Sequence, residues 1–128
     1  MNLVLDSGGV SALAGQRARL SELRRLDMWP PQVPAVVLTE TLTGDHRRDF
    51  AANQLLQMCQ IHDVDEGLAR EAAALRTTTG RAGTVSATDA IVVAFAAALG
   101  DAIALTTDVD DLRALAAHSP HPVTVSRA

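Results

Sequence analysis

Apolar runs of strand length alternate along the chain with longer runs of helical periodicity, the pattern of an α/β domain on a mainly parallel sheet. Residues 2 to 5, NLVL, read as a first strand buried on both faces. Helical segments follow near residues 8 to 14 and 17 to 26. The second is amphipathic, with Leu20, Leu23 and Leu26 on one side and Arg19, Arg24 and Arg25 on the other. Prolines at 30, 31 and 34 permit only a short strand around residues 28 to 33, and Pro34 suits the first turn of a helix that Gly44 ends. Helices near residues 47 to 59 and 66 to 77 bracket a short strand at 60 to 64, and TTTGRAGT, residues 77 to 84, is the most loop-like stretch.

Residues 87 to 99 are apolar almost all round, as expected of a central buried helix, and Gly100 stops it. AIALT at 102 to 106 makes a clear strand, a helix follows near 109 to 117, and VTVS forms the final strand. No linker, internal repeat or low-complexity segment interrupts this order, so residues 1 to 128 are expected to form a single domain with helices flanking a short sheet.

Composition narrows the chemistry. Hydrophobic residues make up 48% of the chain but aromatics only 2%, so a grip on nucleic acid must come from charge and backbone rather than base stacking. The net charge of −4 argues against a broad basic binding face, unless several acids are gathered at one cation site. All eleven basic residues are arginine, which excludes any site that needs lysine. Cys59 is the one cysteine; it reads as a buried free thiol and fits a reducing cytoplasm. The opening MNLVLDSGG lacks a basic targeting segment, and no apolar stretch reaches the roughly 18 to 20 residues of a membrane span, so no membrane association is expected.

Within this frame four carboxylates stand out. Asp6 directly follows the first strand and Asp108 comes two residues after AIALT, so both belong at the carboxyl edge of the sheet, where open α/β folds place their sites. Glu40 sits inside the apolar segment PAVVLTETL, and Asp89 opens the buried helix. Each has an ordinary structural reading: Asp6 and Asp108 as helix caps, Ser86 with Asp89 as a capping box, Glu40 on an exposed helix face. Asp110 and Asp111 compete with Asp108; Asp108 is preferred because it lies nearest the strand end, with Asp110 second.

Together the four acids call for a counter-charge. At an effective dielectric near 20, two carboxylates about 5 Å apart repel by roughly 3 kcal/mol, so such a cluster needs protons or cations. Oxygen-only ligation selects Mg²⁺ or Mn²⁺ over zinc.

The same residues, in this order, resemble the PIN-domain family, in particular VapC-type toxins of bacterial toxin–antitoxin pairs. LVLDSGGVSAL is similar to that family's first-strand motif with its acid and hydroxyl, here Asp6 and Ser7. VPAVVLTETLTG resembles its proline-led helix with the acid, Glu40. SATDAIVVAFA looks like its third acid at the start of a buried helix, Asp89, and ALTTDVDDL its strand-turn motif, with Thr106 and Asp108. The resemblance runs nearly end to end. It implies a PIN-like fold, metal-dependent cleavage of RNA, a homodimer, and a cognate antitoxin protein that blocks the site. The expected mechanism is attack of a metal-activated water on the scissile phosphorus with the 3′-oxygen leaving, which yields 5′-phosphate and 3′-hydroxyl ends.

Ser7, Thr106, Thr107 and Asp110 are the candidates to support the metal-binding acids through hydrogen bonds. Arg47, Arg48 and Arg81 are the candidates for RNA phosphates, and the denser face with Arg17, Arg19, Arg24 and Arg25 suits antitoxin or RNA. His118 and His121 are separated by Pro120 and lack a third ligand. A phosphoaspartate receiver needs a lysine, a haloacid-dehalogenase-like phosphatase needs an Asp where Gly8 stands, and no phosphate-binding glycine loop is present. The remaining alternative is a catalytically inactive PIN-like module that binds RNA or a protein partner.

Overall fold

The computed structural model describes residues 1–80 and 83–128. Its elements run β1 (Asn2–Leu5), α1 (Ser7–Leu13), α2 (Arg17–Arg25), β2 (Gln32–Pro34), α3 (Val37–Thr41), α4 (Phe50–Leu56), β3 (Gln60–His62), α5 (Glu66–Thr79), α6 (Ala87–Leu99), β4 (Ala102–Thr106), α7 (Val109–Ala116) and β5 (Val123–Arg127).

The five strands form one sheet in the order β3-β2-β1-β4-β5, and every pairing is parallel. The expected mainly parallel sheet is therefore wholly parallel. Parallel strands need both faces covered, and the burial follows: Leu3, Val4 and Leu5 of β1 are all in the core. Helix α1 packs with α3 and α4, whereas α5, α6 and α7 pack with one another and α6 crosses β1, β2, β4 and β5. This explains why α6 is apolar all round: seven of its residues, from Ala90 to Ala97, are buried.

The strand order reverses direction at β1. The chain moves from β1 through β2 to β3 on one side, then returns to lay β4 and β5 on the other. Strands β1 and β4 thus flank a topological switch point, in register from Asn2 with Ala102 to Leu5 with Leu105, and the residues just beyond them lie together at the sheet edge where open α/β folds place their crevices.

Four sequence expectations change, one being the helix expected near 47 to 59, which is the shorter α4, Phe50–Leu56. The second strand starts at Gln32 rather than Met28, because Pro30 and Pro31 have no N–H to offer a ladder. Pro34 ends that strand instead of opening the next helix; the adjacent Ala35 N–H makes the bond to the His62 carbonyl at 2.7 Å, so the proline costs the sheet nothing there. Helix α5 also runs into the TTT stretch, because Thr77 and Thr79 return their hydroxyls to the Ala73 and Leu75 carbonyls, and Gly80 stops it at φ 72°. Arg81 lies outside the described residues. Cys59 is half-buried, with burial raising its thiol to about 11. No helix among the described residues is long and apolar enough to cross a membrane.

Candidate functional site

The site grows from the carboxyl ends of β1 and β4. Asp6 leaves β1 in an extended conformation and caps α1, its Oδ1 accepting the Gly9 N–H at 2.7 Å. Its other oxygen, Oδ2, accepts the Thr106 hydroxyl at 2.5 Å. Thr106 is wholly buried at the end of β4, and its Oγ1 in turn accepts the Asp108 N–H at 2.9 Å. One hydroxyl therefore fixes both the first acid and the backbone of the fourth. The capping reading of Asp6 is correct, but the cap occupies only one of its oxygens.

This arrangement requires α1 to approach β4 closely. A Cβ on Gly9 would stand 2.4 Å from the Leu105 carbonyl oxygen, and one on Gly8 would stand 2.3 Å from Thr107 Oγ1. The two glycines let the first turn of α1 sit against the strand end.

Asp89 arrives on the first turn of α6. Its N–H is capped by Ser86 Oγ at 3.0 Å, so the serine half of the capping box forms. Arg76 braces this entry: Nε and Nη2 donate to the Val85 carbonyl at 3.0 and 2.9 Å. Carboxylate oxygens of Asp89, Asp108 and Asp111 lie within 4.8 Å of one another. Glu40 is exposed on α3, and Ser7 Oγ approaches its Oε2 at 3.4 Å.

The charges report the same convergence. Burial pushes the Asp89 carboxyl up to about 6 against the pull of the Ser86 hydrogen bond, and the charges of Asp108, Asp6 and Glu40 push it further the same way. Asp6 is raised first by burial, with the Thr106 and Gly9 hydrogen bonds opposing and the Glu40 charge adding to the rise. Asp108 is raised by desolvation, then by its hydrogen bond to Asp111 and the charges of Asp111 and Asp6. Asp6, Glu40, Asp89 and Asp108 thus share one electrostatic neighbourhood.

Asp111 is the acid that sequence reasoning ranked behind Asp110. With α7 starting at Val109, Asp108 and Asp111 are three residues apart and fall on one side, while Val109, Leu112 and Leu115 turn into the core. Asp110 is exposed and outside the three-acid group. That spacing was present in the sequence once the helix start was fixed. Thr107 is also exposed, and its carbonyl accepts Arg127 Nη1 at 3.3 Å. Arg47 and Arg48 lie exposed in the turn before α4.

The donor set is oxygen only, crowded and partly desolvated, with raised carboxyl groups, which is the character of a site for a hard divalent cation. Fold and site together define an open α/β domain with carboxylates gathered at its switch point. The family profile described as PIN domain matches residues 4–117, and the chain belongs to the PIN domain family.

Solved structures agree on the fold. The DNA-bound VapBC of Salmonella typhimurium superposes with a TM-score of 0.74 at 14% identity, covering 99% of this chain and 98% of that one. VapBC2 of Rickettsia felis, bound to a promoter DNA fragment, gives 0.72 at 15% identity, covering 100% and 99%. FitAcB of Neisseria gonorrhoeae gives 0.63 at 18%, covering 95% and 96%. No curated protein sequence is similar enough to be matched to the chain.

Proposed function

We propose that the chain is a single-domain, Mg²⁺- or Mn²⁺-dependent endoribonuclease that acts as the toxin of a VapC-type toxin–antitoxin pair. The observation that carries this reading is the convergence of carboxylates on one crevice, with Asp89 pushed up by burial and by three acidic neighbours. Asp6, Glu40, Asp89 and Asp108 would hold the cation: Asp89 and Asp108 lie in the three-acid group with Asp111, while Asp6 and Glu40 are outside that group and act on it through their charges. When bound, the cation would offset charge building on a phosphodiester and lower the pKa of a nearby water, making hydroxide available to attack phosphorus.

The chain's own residues prepare that reaction. Thr106 orients Asp6 and fixes the Asp108 backbone; the Ser86 cap and Arg76 set the start of α6 and so the position of Asp89. Ser7 approaches Glu40. Thr107 serves as an outer hydroxyl at the rim, Asp110 stays outside the acid group, and Arg47, Arg48 and Arg81 supply positive charge for the RNA strand. The toxin works in the cytoplasm as a homodimer and is held in check by a cognate antitoxin, the last supported by the VapBC complexes whose fold it shares.

The test is cleavage of total cellular RNA with Mg²⁺ or Mn²⁺, with EDTA, and by Asp89→Asn. Products with 5′-phosphate and 3′-hydroxyl ends that require both the metal and Asp89 support the proposal. A folded chain that binds no divalent cation and cleaves nothing is instead a binding module.

A further inference from the structure

We propose that Asp49 sets a phosphate-binding turn, residues 43 to 48, that presents Arg47 and Arg48 to the RNA backbone on the Glu40 flank of the acid crevice. This rests on the ribonuclease reading above. Asp49 is 5% exposed and its carboxylate accepts from the Thr43 N–H at 2.9 and 3.0 Å, the Thr43 hydroxyl at 2.9 Å and the Gly44 N–H at 2.8 Å. Its own N–H returns to the Asp45 carbonyl at 2.9 Å. The second acid of the turn is also committed inward: Asp45 Oδ1 accepts the Arg47 and Arg48 N–H groups at 2.9 and 3.3 Å. Gly44, at φ 86°, lets the chain reverse there.

The consequence is a separation of charge within six residues. Both carboxylates face backbone amides, whereas both guanidinium groups are exposed and meet no carboxylate among the described residues. Five other arginines are engaged: Arg19 and Arg70 pair with Glu22 and Glu66, Arg24 lies over Trp29, and Arg76 and Arg127 reach carbonyls; Arg17, Arg25 and Arg113 are exposed on α2 and α7, outside this turn.

Position favours nucleic acid. The turn begins three residues after Glu40 and joins α3 to α4, both packed on α1, the helix that starts at Asp6 and Ser7. A phosphodiester approaching several carboxylates needs compensating charge on the crevice rim, and arginine supplies it in a form that matches phosphate oxygens. The hydrogen bond from the Thr43 N–H leads in holding the Asp49 carboxyl below its ordinary value, so the brace stays ionised at neutral pH.

The experiment measures binding of a single-stranded RNA oligonucleotide against salt, in the Asp89→Asn background with Mg²⁺, alongside KM and kcat in the otherwise unaltered chain. Arg47→Ala combined with Arg48→Ala is expected to lower the salt slope by about 1.4, two phosphate contacts at about 0.7 each, and to raise KM roughly tenfold with kcat little changed. Asp49→Ala keeps both arginines yet should reproduce most of that loss, and Asp49→Asn, which retains an acceptor, should recover part of it. If Asp49→Ala does not fold, the arginine pair still decides.

An unchanged salt slope in the arginine variant overturns the inference. So does loss of protein-partner binding with RNA binding intact, which would make the turn a protein contact. A chain that cleaves no RNA defeats the ribonuclease reading, while the binding slope still judges the turn by itself.

Discussion

The Thr106 hydroxyl donates to Asp6 Oδ2 at 2.5 Å, joining residues one hundred positions apart at the ends of two adjacent parallel strands. Because the same Oγ1 accepts the Asp108 N–H, Thr106 is a hinge pin between two acids of the crevice. Thr106→Val keeps the shape and removes both bonds. It should cost about 1 to 3 kcal/mol of stability, since a hydrogen bond to a charged group is lost and the Asp108 amide loses its partner. Divalent-cation affinity should fall roughly 10- to 100-fold, as for other residues that orient ligands. Thermal denaturation and calorimetric Mn²⁺ titration check both; unchanged Mn²⁺ affinity would remove Thr106 from the site's support.

Asp89 gives a pH signature. Its ordinary value is 3.8 and its folded value is about 6, so between these pH values the folded chain holds a proton that the unfolded chain has released. Stability of the metal-free protein should therefore fall as pH rises through that window. Metal binding needs the deprotonated form and should behave oppositely, with the stabilisation by Mg²⁺ growing as pH passes 6. Melting temperatures in EDTA and in Mg²⁺ across the window test both signs. Parallel curves would mean that Asp89 takes no part in cation binding.

The glycines of α1 should differ in sensitivity. Gly9→Ala forces a Cβ against the Leu105 carbonyl, which is backbone and cannot rotate away, and should cost on the order of 1 to 3 kcal/mol. Gly8→Ala meets first the Thr107 hydroxyl, which can turn at the exposed rim, with the Thr107 backbone nitrogen next at 3.0 Å, and should cost less. Denaturant midpoints of the two variants would show this order; equal midpoints would contradict the close approach of α1 to β4.

The neighbouring acids of α7 should separate cleanly. Asp111→Asn removes a charge from the three-acid group and should weaken Mn²⁺ binding and RNA cleavage, whereas Asp110→Asn, on the exposed side, should leave both nearly unchanged. The reverse order would return the fourth position to the candidate that sequence reasoning ranked second.

Legibility in the sequence followed the strength of the local signal. Helix α6 and strand β4 were bounded correctly because Gly100 separates a thirteen-residue apolar helix from a five-residue apolar strand with no ambiguity of length. The start of β2 was harder, because Pro30, Pro31 and Pro34 limit several readings at once and only the partner strand decides which amides are needed. Asp6 and Asp108 were readable as strand-end acids. Their link through Thr106 was not, because it depends on register between strands separated by most of the chain. Asp111 was passed over because closeness to the strand end, rather than the side of α7 shared with Asp108, decided among the three acids, and Asp49 was hidden by its place in a segment read simply as helix.

The central claim is tested most directly by incubating the purified chain with total cellular RNA in Mg²⁺ or Mn²⁺, against EDTA and Asp89→Asn, and sequencing the product ends. Discrete cleavage that disappears in EDTA and in Asp89→Asn, and that leaves 5′-phosphate and 3′-hydroxyl ends, is the result expected. Products ending in 2′,3′-cyclic phosphate, or cleavage that persists in EDTA, would contradict it.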